Sequence, residues 1–499
     1  MEEKRSRQPL VLQRRALTRR ELLIGAGMVA GGLALGPLIA ACGPSTTTGG
    51  TSTTPKKGGN FRLGVTGGGA KDMIDGQNIV TKPDQARLVA TFETLLVYDE
   101  GYNLTNDGLA ELVTQDAPDK WTIRLRQGIT FHDGKTLSSD DVIYSFQRLF
   151  DPKAGLFGAA GLGSVDPNNI TKMDARTVRL NLKRADSTIG DQLGQYYNGI
   201  VPVGYTRSGT QNGTGPYKVQ SFNAGQQSVH VRNPNYWRSG QPYFDQVTII
   251  DFPDPAAQVN ALLAGQLDAI TDIPFGQVDV VKGHSGLKVL ESPGGGWLPL
   301  CMAIDMDPFT DVRVRQAFRL MANREQIVTQ VLSGHGRVAN DLYSPFDEGF
   351  ASDLPQRHQD FAQAKGAGVT VNVKNDPNYY GDQYLKLAFS VDFWGTRNYL
   401  PQVANGSIPT APYNETHWPP ANSNYLSLYQ QTLGEVDKTK RIALKHQMQQ
   451  LEYDQGGYII PFFNDLVDAY STKVSGFAVS KGTLNLDSFG HGFRTIWFS

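Results

Sequence analysis

The chain contains little cysteine and almost no net charge. Its 499 residues include two cysteines, Cys42 and Cys301, too few for a framework of internal disulfides. The 47 lysines and arginines balance 48 aspartates and glutamates, so no basic surface for nucleic acid is expected. Beyond residue 42, no apolar run is long enough to span a bilayer. We therefore expect a soluble body of about 440 residues with two or three domains.

Motifs for catalysis and for metal binding are also missing. The eight histidines include no pair at i, i+4 and no His-Glu-x-x-His, and neither Gly-x-Ser-x-Gly nor a Walker loop occurs. Gly67 to Lys71 resembles a phosphate cradle but lacks the Gly-Lys-Ser/Thr ending. His132 lies beside a tight turn without a catalytic partner at helical spacing, which indicates a structural role. The sequence therefore predicts a protein without enzymatic activity, metal site or cofactor.

The first 42 residues have the organisation of an export signal. A basic start ends in Thr18-Arg19-Arg20, an uncharged segment runs from Leu22 to Ala41, and the region closes with Ile39-Ala40-Ala41-Cys42. Paired arginines before an apolar segment are typical of the twin-arginine signal, which exports folded cargo. The last four residues resemble a lipobox, which implies a lipid on Cys42 once the leader is removed.

A transmembrane helix is the alternative for this segment, since 20 uncharged residues can span a bilayer. Its many glycines and Pro37 disfavour that alternative. From Gly43 to Thr54 the chain is almost entirely Gly, Ser, Thr and Pro, a composition typical of a flexible spacer. We predict a lipoprotein signal over 1–42, a spacer over 43–58, and a folded body that is tethered outside the cytoplasmic membrane, at the cell surface or on its periplasmic side.

The segment after Trp121 predicts local α/β structure. Trp121 to Leu125 alternates as a half-buried strand, Gln127-Gly128 predicts a turn, and residues 129–131 resume the strand, which together indicate a hairpin. Ser138 or Ser139 is expected to cap the helix that follows, with acidic residues in its first turn.

Two later segments carry similar signals. In Gly213-Thr-Gly-Pro-Tyr217, the glycines predict a turn with positive φ that leads into a strand. Pro308 to Gly334 predicts a helix, a turn and a second helix, with apolar residues on the buried faces. These signals predict packed layers of helices and strands, and none of them indicates a catalytic or binding residue.

Taken in order, the motifs of the chain resemble the solute-binding proteins of peptide and nickel ABC importers, extracellular solute-binding family 5. The resemblance extends from Gly59 to about Phe350, with weaker matches to the C-terminus. Its motifs are Trp121–Gly134, Ser139–Val142 with Ser145, Gly213–Tyr217, Arg232–Trp237, Ala261–Asp268, Asp311–Phe318 and Asn323–Gln326.

This resemblance implies an α/β, two-lobed periplasmic-binding-protein-like fold, type II, in its large three-subdomain form. Two hinge strands would cross between the lobes, which close on a ligand. Lobe I would comprise residues 59–272, with an inserted subdomain at about 101–212, and a return over 484–499. Lobe II would comprise residues 273–483.

One departure concerns lobe II. Asp360 to Lys365 looks like a family helix, yet it runs directly into Gly366 to Val373, where relatives have a strand, a helix and loops between the two elements. Lobe II is therefore expected to be shortened. Either the remaining strands of lobe II pair directly with one another, or the folding and function of the lobe are impaired.

The implied function is that of the substrate-binding component of an ABC importer. The protein, a monomer, would capture a peptide or peptide-like solute and deliver it to a membrane permease driven by a cytoplasmic ATPase. Two alternatives from other classes remain: a solute sensor or chaperone on the same fold, and a secreted hydrolase whose catalytic site these motifs do not reveal. The presence of permease genes beside this one would distinguish an importer component from a sensor or chaperone. An assay of ester, peptide and glycosidic substrates would reveal a hydrolase.

The resemblance also supplies candidate ligand-binding residues. Trp297, which follows three glycines, and Trp394 lie near positions where the family brings aromatic side chains to the ligand, with core packing as the alternative. Tyr196 and Tyr197 are weaker candidates of the same kind. Gly68 follows the first strand, where the family places part of its cleft.

A reversed charge distinguishes this candidate site. Peptide-binding relatives carry a Trp-x-x-Asp pattern whose aspartate pairs with the ligand's α-ammonium, whereas Trp394-Gly-Thr is followed by Arg397 and then Asn398. Two like charges about 4 Å apart at an effective dielectric near 20 repel by roughly 4 kcal/mol, so a free amine is not expected beside an unpaired Arg397. Three outcomes follow: Arg397 binds an acidic group, Arg397 points to solvent, or Asp392 on the same strand face as Trp394 supplies the missing charge.

Overall fold

The computed structural model describes residues 54–156, 158–363 and 379–499, which belong to one compact unit, Ser52–Ser499. The predicted signal, Cys42, most of the spacer and the junction near residue 366 lie outside the described residues. Within the described ranges, no helix has both the length and the apolar character that crossing a bilayer requires.

The strands, in chain order, are β1 (Asn60–Thr66), β2 (Val97–Tyr98), β3 (Leu104–Thr105), β4 (Ala110–Ala117), β5 (Lys120–Leu125), β6 (Val165–Lys172), β7 (Thr177–Leu182), β8 (Tyr217–Asn223), β9 (Gln227–Arg232), β10 (Gln246–Phe252), β11 (Ala269–Ile270), β12 (Leu287–Gly296), β13 (Leu300–Met302), β14 (Gly336–Val338), β15 (Phe389–Val391), β16 (Tyr458–Ile459), β17 (Phe462–Ser471), β18 (Val474–Ser475) and β19 (Trp497–Phe498). The α-helices are α1 (Lys82–Thr91), α2 (Ser139–Leu149), α3 (Gly158–Gly161), α4 (Ile189–Leu193), α5 (Pro255–Leu263), α6 (Val278–Lys282), α7 (Val312–Met321), α8 (Arg324–Val331), α9 (Tyr399–Gly406), α10 (Tyr425–Gly434) and α11 (Lys438–Gln455). A further helical segment, α12 (Asn485–Phe493), is left-handed, because Leu486 to Gly492 have positive φ.

The largest sheet has eight strands in the order β12-β17-β11-β1-β10-β9-β8, with β14 beside β17. β1 runs parallel to β10 and β11, and the other pairs are antiparallel. A separate sheet, β4-β5-β7-β6, lies within the stretch predicted as an inserted subdomain. Side chains from β1 and from the C-terminal residues 484–496 share one apolar cluster. We keep the names lobe I for residues 59–272 and 484–499, and lobe II for residues 273–483.

Two strands connect the two lobes. β12 and β17 are antiparallel strands of ten residues each, and β17 also pairs with β11 of lobe I. At its end, β12 leads through Trp297 to β13, and β16 leads back into β17. Among the described residues, β13 lies between β15 and β16 in a three-stranded sheet. Cys301 of β13 shares one apolar cluster with side chains of α9, α10 and α11. The fold is thus the two-lobed α/β arrangement with crossing strands.

Several local predictions are confirmed. α2 begins after the N-cap residue Ser138, which forms a capping box with Asp141, and it buries Val142, Ser145 and Phe146. The helix, turn and helix predicted after Pro308 appear as α7 and α8.

Two predictions were wrong. Residues 129–131 do not pair with β5, because β4 and β7 occupy both edges of that strand, and Thr130 forms only an isolated bridge to Thr136. Gly213 and Gly215 do not adopt positive φ. They are glycines because of close packing, since a Cβ on Gly213 would lie 1.9 Å from the carbonyl oxygen of Thr91.

Candidate functional site

The lobes contact each other along a boundary that we call the cleft, and its lobe I wall is rich in tyrosine. Tyr98 and Tyr102 stack with ring centroids 4.4 Å apart, and Tyr196 and Tyr197 form an edge contact at 5.2 Å. α4 supplies Asp191, whose carboxylate accepts a hydrogen bond of 2.9 Å from the Tyr98 hydroxyl. The wall therefore offers aromatic faces together with one acid.

The lobe II wall is the segment from Trp394 to Asn398, between β15 and α9. Asn398 donates to Asp191 across the cleft at 2.5 Å, and Tyr102 donates to the Thr396 carbonyl at 3.4 Å. Burial raises the pKa of Asp191, and the hydrogen bond from Asn398 opposes this shift. These contacts hold the two walls together.

Arg397 extends from this wall beside the lobe I tyrosines. Its guanidinium lies 5.3 Å from the Trp394 ring centroid, and its Nη1 donates a long hydrogen bond of 3.5 Å to Gln402 Oε1. Burial raises the pKa of Tyr196 and Tyr197, while the positive charge of Arg397 opposes the rise at both. Arg397 and Tyr197 are thus brought together at the cleft.

Trp297 and Trp394 lie deeper, at the top of the lobe II core. Their backbones exchange hydrogen bonds of 3.0 and 2.9 Å, and their rings stack 6.0 Å apart. Trp297 is 1% exposed and Trp394 is 7% exposed. Trp394 lies directly under Arg397, whereas Trp297 stacks on Tyr343 in the core.

The core beneath the tryptophans contains a buried acid. Tyr343, Tyr399 and Tyr425 all donate to the Glu452 carboxylate, and Tyr399 does so at 3.1 Å. Burial raises the pKa of Glu452 to about 7, although these hydrogen bonds favour its charged form. These hydrogen bonds fix the positions of Tyr343, which stacks on Trp297, and of Tyr399 in α9.

Asp392 and Trp394 follow the end of β15 and are both buried, but the described contacts of Asp392 are with other groups. It is 6% exposed and accepts a hydrogen bond of 2.9 Å from Tyr380. Burial raises the pKa of Glu415 to about 8, and the adjacent Asp392 charge adds to the rise. The described contacts of Asp392 are with these groups rather than with Arg397.

Gly68 lies at the end of β1, in a loop with φ of +99°. A Cβ at this position would come within 2.8 Å of Asp251 Oδ2, so the close approach explains the glycine. Asp251 belongs to the ion-pair network of Arg87 in lobe I. Gly68 is thereby placed beside that network, and no described contact joins it to Trp394 or Arg397.

A cavity of about 340 Å³ adjoins the tyrosine wall and is lined mainly by lobe I, with Ser480, Gly482 and Thr483 of lobe II. Tyr98 and Tyr196 line it together with α1 and the C-terminal segment. The partly buried Glu93 also faces this cavity and accepts hydrogen bonds from Tyr236, Trp237 and Thr214. Burial raises the pKa of Glu93.

Glu100, Asp487 and His491 line the same cavity, and their ligand atoms lie within 4.8 Å of one another. His491 Nε2 is 3.1 Å from Asp487 Oδ1, and Arg494 donates to His491 Nδ1 at 3.4 Å. Because arginine can only donate, Nδ1 accepts and Nε2 carries the proton. The imidazole then donates to Asp487 and has no free nitrogen for a metal ion.

Sequence reasoning missed Tyr98, Tyr102 and Asp191, which form much of the lobe I wall. No motif marks them, because their partners Thr396 and Asn398 lie about 200 to 300 residues away in the chain. Their proximity is a product of the fold.

Comparison with known proteins gives a consistent family and fold. The model described as "Bacterial extracellular solute-binding proteins, family 5 Middle" matches residues 106–405. Heme-binding protein A of Haemophilus influenzae is 24% identical over 322 residues, which cover 59% of this chain and 54% of that protein. A putative ABC transporter peptide-binding protein of Brucella ovis is 28% identical over 270 residues, which cover 51% of this chain and 50% of that protein. The chain thus spans about half the length of the curated relatives it matches.

Among solved structures, the periplasmic binding protein AgaA of A. tumefaciens R10, in complex with agropinic acid, superposes with a TM-score of 0.74. Its sequence is 19% identical, and the match covers 88% of this chain and 99% of AgaA. The two proteins share the fold.

Proposed function

The chain belongs to family 5 of the bacterial extracellular solute-binding proteins, and from this premise we propose that it is the substrate-binding component of an ABC importer. The observation that carries the proposal is the cleft itself. Aromatic residues from both lobes and one cationic side chain converge there, between lobes that two crossing strands connect. Ligand sites in two-lobed proteins form where closure removes water from such a cleft.

The proposed mechanism is hinge closure around the solute. β12 and β17 would act as the hinge, because β17 pairs with β11 of lobe I while both strands connect to the sheet of lobe II through β13 and β16. In the open form, Asp191 and Asn398 would each be hydrated, and closure replaces that water with their mutual hydrogen bond. The closed protein would then present the solute to a permease, whose partner ATPase supplies the energy.

We take the solute to be a peptide or a peptide-like molecule. The Brucella ovis relative is named as a peptide-binding protein, which supports this class, and the stacked tyrosines offer apolar faces for side chains. The work of the protein is capture rather than catalysis, so substrate turnover is not expected.

We further propose that the protein acts outside the cytoplasmic membrane as a lipoprotein. The name of the family describes extracellular proteins, and the sequence from Thr18 to Cys42 carries the pattern of a twin-arginine lipoprotein signal. The spacer that follows would let the folded body reach a permease.

Membrane attachment is predicted to depend on Cys42. Cys42→Ser removes the thiol that would carry the lipid, so the folded protein is expected to move from the membrane fraction to the soluble fraction. Cell fractionation followed by a carbonate wash and immunoblotting measures this. A Cys42→Ser protein that stays in the washed membranes would show that residues 22–41 form a true span.

Tryptophan fluorescence is predicted to respond to solute through Trp394. This indole lies 5.3 Å beneath the Arg397 guanidinium, so a solute that contacts Arg397 changes its electrostatic surroundings. Titration with an equimolar mixture of tripeptides is expected to shift the emission, and Trp394→Phe is expected to remove most of that shift.

Trp418→Phe provides the matched control, because Trp418 is 2% exposed in the same apolar cluster but packs on Tyr425 rather than under Arg397. It is expected to keep the shift. Equal responses in the two variants would assign Trp394 to ordinary core packing.

A further inference from the structure

Two buried hydrogen-bond donors next to Arg397 have no acceptor among the described residues. They are Trp394 Nε1 and Gln402 Nε2, on side chains that are 7% and 1% exposed. A buried N–H without an acceptor is unfavourable, because the unfolded chain offers it water. Native proteins seldom leave such groups unsatisfied, so two at one place indicate an acceptor that comes from outside the chain.

The two donors and Arg397 lie within one small region. A Cβ on Gly406 would be 3.0 Å from Trp394 Cζ2 and 3.2 Å from Gln402 Nε2. On its other side, Gln402 Oε1 accepts from Arg397 Nη1 at 3.5 Å. Turning this amide over would set its NH2 group against the guanidinium, so the present orientation is the favourable one. We call Trp394, Arg397 and Gln402 the donor cluster.

The nearby acids are already engaged by other groups. Asp191 accepts from Asn398 and Tyr98, and Asp347 pairs with Lys445 at 2.8 Å. Asp392 accepts from Tyr380 through Oδ1 only, and its buried Oδ2 has no hydrogen-bond partner among the described residues. In the part of the chain that the structure describes, Arg397 therefore has no ion-pair partner within 4.0 Å.

A second pair of unsatisfied atoms has a different setting. Thr416 Oγ1 and Trp418 Nε1 also have no partner among the described residues, but both residues line a small cavity of about 10 Å³. A space of that size accommodates a single water molecule. The donor cluster differs, because it adjoins a cationic side chain on the cleft wall.

We propose that the donor cluster binds a carboxylate, or another anionic group, of the solute. The inference rests on the proposed function and specifies which solutes the cleft accepts. A guanidinium with two neutral N–H donors matches an acidic acceptor. A cationic group at this place would meet the Arg397 charge in a partly desolvated site. The cleft is therefore selective for acidic or N-blocked solutes over solutes whose charge is only positive.

Isothermal titration calorimetry of the purified protein with four forms of tri-alanine tests this. The forms are the free tripeptide, its N-acetyl acid, its C-terminal amide and its N-acetyl amide, which differ only in terminal charge. The N-acetyl acid is expected to bind roughly 10- to 100-fold more tightly than the C-terminal amide, the range typical of hydrogen bonds to charged groups.

Variants assign the preference to the donor cluster. Arg397→Gln is expected to weaken binding of the N-acetyl acid by roughly 10- to 100-fold, while the affinity for the neutral N-acetyl amide stays unchanged. Arg397→Lys is expected to restore part of the loss, because it keeps the charge without the planar fork. Arg313→Gln is the control, since Arg313 lies on α7, outside the donor cluster, and its side chain is 85% exposed.

The outcomes separate this inference from the proposed function. If the C-terminal amide binds as tightly as the N-acetyl acid, or if Arg397→Gln leaves the acid's affinity unchanged, the anionic preference is wrong and solute capture stands. If none of the four forms binds to the wild-type protein, capture of peptides is contradicted, and the inference falls with it. Thermal melts of Arg397→Gln establish that the variant is folded.

Discussion

Replacing Arg87 by methionine is expected to lower the free energy of unfolding by about 3–5 kcal/mol, the usual cost of removing one partner from a buried ion-pair network. Arg87 is fully buried in α1 and contacts Asp72 at 3.0 Å, Asp84 at 3.1 Å and Asp251. Methionine fills most of the volume but leaves three acids without their cation. Burial already raises the pKa of Asp251 to about 6 with Arg87 present.

This network also supports the loop that contains Gly68. Asp72 accepts a hydrogen bond of 3.0 Å from the Gly69 amide, and Asp251 lies against Gly68. Arg87→Met is therefore expected to loosen the end of β1 as well as to destabilise lobe I.

Urea unfolding followed by circular dichroism measures the effect. Lys172→Met is the matched control, because Lys172 pairs with Asp140 on the surface with side chains 46% and 56% exposed. Such pairs contribute about 0–1 kcal/mol. If Arg87→Met unfolds at the same urea concentration as Lys172→Met, the network does not stabilise lobe I as argued.

Asp341→Asn is expected to destabilise lobe II by a similar amount, about 3–5 kcal/mol. Asp341 is buried and accepts two hydrogen bonds of 2.8 Å from Arg324 and one of 3.1 Å from Arg357. Arg319 lies 3.8 Å away, and burial lowers its pKa to about 9. Removal of the single negative charge leaves three arginines facing one another.

Asparagine isolates the charge from the shape of the side chain. Asp341 has φ of 61°, a conformation that asparagine tolerates, so the backbone is not the source of the loss. Glu348→Gln serves as the control, because Glu348 pairs with Lys438 where both side chains are largely exposed. The midpoint of urea unfolding decides the comparison, and an Asp341→Asn midpoint equal to that of Glu348→Gln would contradict the prediction.

The stability of the Asp341 centre is relevant to the shortening of lobe II that the sequence predicts. The junction near residue 366 lies outside the described residues, yet the described part of the lobe contains a complete buried ion-pair centre at Asp341 and a satisfied acid at Glu452. Cooperative unfolding of lobe II would show that its remaining strands and helices pack into a stable lobe without the missing block.

The sequence predicted features that depend on neighbouring residues. Ser138 caps α2 because its side chain and that of Asp141 serve backbone groups within one turn. The helix, turn and helix of α7 and α8 follow equally local signals, an apolar face and an N-cap residue before each helix. The resemblance to solute-binding family 5 predicted the two-lobed fold. It also identified Arg397 as a candidate ligand-binding residue.

Features that depend on distant partners were missed. The edges of β5 are taken by β4 and β7, and no pattern in residues 120–131 shows which strands arrive there. Gly213 is fixed by the Thr91 carbonyl rather than by its own φ. At the site, Asp191 contacts Asn398, 207 positions later in the chain. That Gln402 Nε2 has no acceptor among the described residues is visible only in the folded protein.

Native mass spectrometry of the wild-type protein, after incubation with the low-molecular-weight fraction of a cell extract, tests whether the protein captures a solute. We expect a one-to-one complex with a small acidic or N-blocked solute, and we expect Arg397→Gln to lose much of that complex while Arg313→Gln retains it. A wild-type spectrum that shows only the unliganded chain would contradict solute capture.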